Sequence, residues 1–403
     1  MNLKGHIKIA LGYFFIVAIL GVCMRMFQVV DFDFNYKNIL HTHSHIALLG
    51  WVYTALITII YQLFLSNKQL EKPYKRLFWS TQISILGMMF TFPFTGYALL
   101  SIIFSTYFLI NSYVFVRLFL KHTSIEQKKT NSYKLIRASL WLMVLSSIGP
   151  WALGGIMNTL GSASSWYRNA IYFYLHFQYN GWFLVALLGI LFFIFEKHSI
   201  SFSQKTFKLF FKLFLGGVIL TFFLSVLWMQ PNSIFYFLAG IGSVFQIAAF
   251  VVLFNAVFQN KQLIKKPFTK LEGVLLKTVG LLFFVKLLFQ LIGAFPAISE
   301  IIKNNIDFVI AYLHWIFLGI VTISVFAFLN YFKLFRITKT NYVVYLIAFI
   351  ITESLLFYKG FVLWFNSRLI ENYYLYLVIA STVFLIAITW LLVLQINKKN
   401  TSY

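Results

Sequence analysis

"HTHSHIALLGWVYTALITIIYQLFL", His41–Leu65, decides the fold. After three histidines in five residues it stays almost wholly apolar for about twenty, enough to cross roughly 30 Å of hydrocarbon at ~1.5 Å per helical residue. Similar runs recur along all 403 residues, of which 61% are hydrophobic and 11% charged, with a mean hydropathy of +0.83. A soluble domain needs far more polar surface. Twelve spans are predicted, at 8–30, 41–65, 77–97, 98–120, 138–158, 170–195, 208–229, 234–258, 274–296, 307–332, 341–364 and 373–396. Together they make one transmembrane domain, 1–403, an all-α polytopic membrane protein. The first run is too long for the core of a signal peptide and lacks a small-residue cleavage site, so it counts as a span. Between spans three and four, Pro93 and Gly96 allow either a hairpin or a kinked pair.

The formal net charge of +23 is distributed by loop. "NKQLEKPYKR", "KHTSIEQKKTNSYKLIR", "EKHSISFSQKTFK", "NKQLIKKPFTK" and "KLFRITKTN" each follow an even-numbered span, whereas "DFDFNYKN", "GSASSWYRN", "QPNS", "ISEIIKNN" and "NSRLIEN" carry few positive charges. Alternation of this kind marks cytoplasmic loops. The expected location is therefore the cytoplasmic (inner) membrane with both lysine-bearing termini inside, and the expected partners are membrane lipids and no nucleic acid. One cysteine, Cys23, excludes an internal disulfide framework and a CxxC motif, and with it covalent c-type haem attachment.

His6, His122 and His198 fall in or beside basic loops and read as surface residues. The other five do not: His41, His43 and His45 open span two, His176 lies early in span six and His314 early in span ten. These spans run from outside to inside, which puts all five near the outer third of the membrane. Imidazole there needs a hydrogen bond, bundle water, a metal or a haem iron. The contexts "HIALLGW", "HFQYNGW" and "HWIFLG" each place a glycine five residues on, at Gly50, Gly181 and Gly319. Such a glycine either leaves room for a flat cofactor or allows close helix contact. His41 and His45 share a helix face and His43 points elsewhere, so at most two of the three serve one site.

Twelve spans with histidines opening the second, sixth and tenth resemble the large subunit of haem-copper oxidases and nitric oxide reductases, and imply a cytochrome oxidase subunit I-like bundle. "LHTHSHIALLGW" is similar to the family segment holding one axial ligand of the low-spin haem, and His314 in "AYLHWIFLG" matches the histidine holding the other. The resemblance thus implies haem b between His45, with His41 as the alternative, and His314. His176 in "YFYLHFQYNGWFL" matches the copper-binding histidine of span six. The departures are specific. Span seven has no histidine, Asn180 stands where the oxidases carry a cross-linked tyrosine, and Tyr312 replaces the high-spin haem ligand. A complete oxygen-reducing haem–copper centre is therefore not expected. A second haem, or copper on His176 with His43 or His41, stays open, as does likeness to the haem- and copper-containing membrane proteins of nitric oxide tolerance.

Lys286, Glu353 and Lys359 lie within spans nine and eleven, where they line a proton path, form a buried ion pair or, for Lys359, snorkel to an interface. Arg25 and Arg168, near outer span ends, are placed to meet haem propionates or lipid headgroups. The expected function is a membrane b-type haem protein for electron transfer or redox and nitric oxide chemistry, with a quinol or a redox subunit as partner. An enzymatic form, a divergent oxidoreductase, needs a second metal site. The rival is a haem-free transporter or membrane scaffold whose histidines serve packing or an ion path; no two-half repeat supports the transporter.

Overall fold

The computed structural model describes residues 2–31 and 33–396. Among them no strand occurs, and twelve helices are long and apolar enough to cross a membrane. They are α1 Leu3–Met26, α2 Tyr36–Leu65, α3 Lys68–Thr95, α4 Leu99–His122, α5 Asn131–Thr159, α6 Ser165–Lys197, α7 Gln204–Met229, α8 Ser233–Gln259, α9 Lys270–Gly293, α10 Ile306–Tyr331, α11 Lys339–Trp364 and α12 Tyr373–Ile396. The chain is a polytopic all-α membrane protein. Several helices run past their apolar stretch into the basic loops. α3 begins nine residues before the predicted start at 77, because "KQLEKPYKR" is built mostly of good helix formers.

Helix starts are fixed locally. Asn67 Oδ1 accepts from the backbone of Gln69 and Leu70 at the head of α3, and Thr269 with Glu272 closes a capping box at the head of α9. α5 is capped from another helix. Glu196, at the end of α6, accepts from the backbone of Asn131 at 2.6 Å and Ser132 at 3.2 Å and also takes the Ser132 hydroxyl. A carboxylate suits the positive end of a helix dipole. Between α3 and α4 the chain forms the hairpin rather than the kinked pair: Pro93 stays inside α3 and Gly96 turns the chain at φ +57°.

The chain divides into two compact units, Met1–Thr123 with Val325–Tyr403, and Ser124–Ser324. The first holds α1–α4, α11, α12 and the end of α10, and packs through aromatic contacts: Trp51 stacks on Phe14 at 4.9 Å, and Phe326 and Phe384 approach the same ring. The second holds α5–α9 and most of α10, around Val185, Phe192, Phe210 and Phe214. His122 and His198 are exposed as expected, but His6 is not a surface residue. It is buried and stacked on Phe78 at 3.5 Å, which removes one face of its ring from water.

Candidate functional site

The three histidine-bearing helices share one local design. An α-helical segment of 10 residues ends at His45, one of 12 at His176 and one of 9 at His314. Each is followed at once by a π-helical segment, Ile46–Tyr53, Phe177–Phe183 and Trp315–Thr322. The one other π segment among the described residues, Tyr61–Leu65, also lies in α2. π turns bond five residues apart, the same interval that separates each histidine from its glycine, and they concentrate at functional sites. The same helices are the interior ones: 89%, 83% and 50% of the apolar stretches of α2, α6 and α10 are buried, against 28–44% in the other nine.

Two of the glycines serve helix contact. A Cβ on Gly50 would stand 2.8 Å from Cγ of Tyr13 in α1, and one on Gly181 would stand 3.0 Å from Cβ of Leu142 in α5. Neither leaves space beside its own Cα for a cofactor.

In the first unit the histidines of α2 separate as their spacing predicts. His43 Nδ1–H donates to Val17 O in α1 at 3.1 Å. His41 and His45 face the α3–α4 hairpin instead. There Gly96 is required twice, by its positive φ and because a Cβ would stand 2.6 Å from Oδ1 of Asn38. Ser101 Oγ bonds Gly96 O and closes the turn. The turn delivers Tyr97, whose hydroxyl donates to His45 Nε2 at 3.3 Å, and Phe92, whose ring lies 4.5 Å from the His45 ring. His45 Nδ1–H donates to His41 O at 2.8 Å. A carbonyl can only accept, so the lone pair of neutral His45 lies on Nε2. His41 lies edge-on to Tyr97 at 4.7 Å and its buried Nε2 has no hydrogen-bond partner.

In the second unit, His314 repeats the arrangement of His45: Nδ1–H donates to Ile310 O, four residues back, at 2.8 Å. Its neighbour Trp315 donates Nε1–H to Leu282 O of α9. A carbonyl bond on one ring nitrogen that orients the other is the usual support for a metal-binding imidazole. His176 differs. Its Nε2–H donates to Val218 O of α7 at 2.8 Å, and Nδ1 accepts from Asn180 Nδ2 at 3.3 Å. Both ring nitrogens are thus engaged by the protein, and Asn180 takes up one of them. Tyr312 lies edge-on to Tyr179 at 6.5 Å.

Arg25 is half-buried in α1 and interacts electrostatically with Glu353, whose two carboxyl oxygens are buried without a hydrogen-bond partner. Arg168 is exposed and stacks over Trp228 at 4.4 Å. Lys359 lies over the Tyr374 ring at 5.6 Å, and Lys286 donates to Gln246 Oε1 at 3.1 Å. Tyr97, Phe92, Gln246 and Thr221 escaped the sequence reading; the polar Gln246 and Thr221 inside apolar spans were the available signal. Among the described residues no cluster of three or more His, Cys, Asp or Glu is arranged to hold a metal ion. No protein-family model and no curated protein matches the chain.

Proposed function

We propose that the chain is a membrane haem b protein in which His45 and His314 are the axial ligands. The observation that supports it is the shared tautomer: each of these two imidazoles, and not His176, spends Nδ1–H on the carbonyl four residues back and keeps its lone pair on Nε2. Haem b would supply a one-electron iron couple, and His45 and His314 would hold it, a two-imidazole set that suits electron transfer or redox sensing. The π segments follow the two histidines directly, and His45 Nε2, which now takes the Tyr97 hydroxyl, is the atom that would face the haem. His176 has no ligand role in this reading. In this reading the bundle is oxidase-like, a quinol or a redox subunit exchanges electrons, and both termini lie on the cytoplasmic side of the inner membrane, which the charge of the basic loops supports.

The purified protein tests this optically. A reduced b-type spectrum, lost in His45→Ala and in His314→Ala but kept in His176→Ala, is expected. Loss in His41→Ala with retention in His45→Ala moves the ligand by one turn. Folded, haem-free protein overturns the proposal and leaves the haem-free scaffold reading, which the packed glycines and the engaged His176 favour.

A further inference from the structure

Lys286 stands in α9 about 24 Å from Lys270 and about 10 Å from Gly293 along the axis, at ~1.5 Å per residue. It is fully buried, with 0% of its surface exposed. Its Nζ donates to Gln246 Oε1 of α8 at 3.1 Å and lies 5.5 Å from the Phe283 ring. Among the described residues no carboxylate pairs with it.

The single acceptor is dictated by a chain of bonds. Thr221 Oγ–H of α7 is committed to Gly217 O at 2.7 Å, so that oxygen accepts from Gln246 Nε2 at 3.2 Å. The Gln246 amide must then turn its oxygen to Lys286. The next carbonyl, Val218 O, is taken by His176. Close approach of α7 and α8 holds the chain in place: a Cβ on Gly242 would stand 2.6 Å from Thr221 N. Lys286 is thus offered one neutral oxygen and no anion.

The elements against α9 add little charge. α8 contributes only Tyr236 among titratable groups, and Thr221–Met229 and Trp315–Thr322 contribute none. Glu300 and Lys303, on the helix Pro296–Asn304, pair with each other at 3.6 Å near the outer surface. Asp307, Tyr312 and His314 belong to the start of α10, Tyr179 to α6, and His176 joins the bonded chain through Val218 O, which also accepts from Thr221 Oγ–H at 3.3 Å. An ammonium in such surroundings is costly, whereas an amine with one N–H on Gln246 is not.

We propose that Lys286 is a proton-binding site inside the second unit, resting as a neutral amine on Gln246 and taking a proton from solvent onto its nitrogen lone pair. Uptake forms one N–H bond and breaks none in the protein. The new charge is opposed by any charge on His176, so protonation of either base disfavours protonation of the other. This inference does not depend on haem.

The test is the ¹⁵N signal of lysine Nζ in the full chain, in liposomes of neutral lipid without chloride. At pH 8 an amine-type resonance is expected that is absent in Lys286→Met and converts to ammonium as the pH is lowered. Should Lys286→Met not fold, Lys286→Gln, neutral and still able to hydrogen-bond, makes the same assignment. Ammonium signals alone at pH 8 overturn the proposal. So does an amine signal that turns to ammonium on adding chloride at fixed pH, since the site then binds an anion.

Discussion

Gly50→Ala separates the two uses a glycine below a histidine can have. The added Cβ would stand 2.8 Å from Cγ and 2.9 Å from Cβ of Tyr13, and 3.1 Å from Cγ2 of Ile46. Carbon atoms prefer about 3.5–4.0 Å, so Tyr13 must retreat by roughly 1 Å. It has nowhere to go, being itself 4% exposed against the most buried helix of the chain. Overpacking of this kind costs about 1–3 kcal/mol. Unfolding of the purified protein by SDS titration in mixed micelles should show that loss. With Tyr13→Gly as background both clashing carbons of residue 13 are gone and only Ile46 Cγ2, at 3.1 Å, remains close, so adding Gly50→Ala should cost measurably less than it does in the wild type. An equal cost in both backgrounds, or none in the wild type, refutes the helix-contact account. A selective loss of bound cofactor with unchanged stability would return Gly50 to the cofactor.

His176→Leu removes the ring nitrogen that accepts from the Asn180 amide and leaves Val218 O with Thr221 Oγ–H alone, at 3.3 Å; a buried group left unpaired costs about 1–3 kcal/mol, and the same titration should register about that loss, while a neutral result means that the bonds of His176 are not structural. Glu196→Ala removes the carboxylate on two backbone N–H groups of α5, and a cap of this kind is worth about 0.5–2 kcal/mol; hydrogen exchange should rise at Asn131 and Ser132, and unchanged exchange counts against the cap. Glu353, buried without a hydrogen-bond partner, should react with the apolar reagent dicyclohexylcarbodiimide, seen as a mass adduct on its peptide that Glu353→Gln abolishes. No adduct on denaturant-free protein, with labelling after unfolding, would show the acid shielded from the membrane phase.

The twelve spans were legible because hydropathy and loop charge are local properties, readable one window at a time. The α3–α4 boundary was not, since the choice between hairpin and kink rests on Gly96 meeting Asn38, some sixty residues earlier. The same limit governed the site. Splitting His43 from His41 and His45 needed only helical periodicity, and Val17 and Tyr97 now supply the partners on the two sides. The glycines five residues on were noticed, yet Tyr13 and Leu142, the residues that explain two of them, sit on other helices. Asn180 was read as an absent tyrosine and is a partner of His176. His6 misled because its neighbours in sequence are polar while its neighbour in space is Phe78. The π segments had no sequence signal beyond the five-residue interval itself.

Those segments also bear on how the chain tolerates insertion and deletion. A π turn is an α-helix carrying a surplus residue in one wider turn, so the two ends of α2, α6 and α10 keep the phase of a helix one residue shorter. Removing one residue from such a segment restores α geometry and leaves the two ends in phase, whereas removing one from an α-helical stretch turns everything on one side by about 100° relative to the other. Each π segment is therefore the place where its helix can shed a residue. A one-residue deletion within 46–53, 177–183 or 315–322 should disturb the molecule less than the same deletion in the α-helical stretch that follows it.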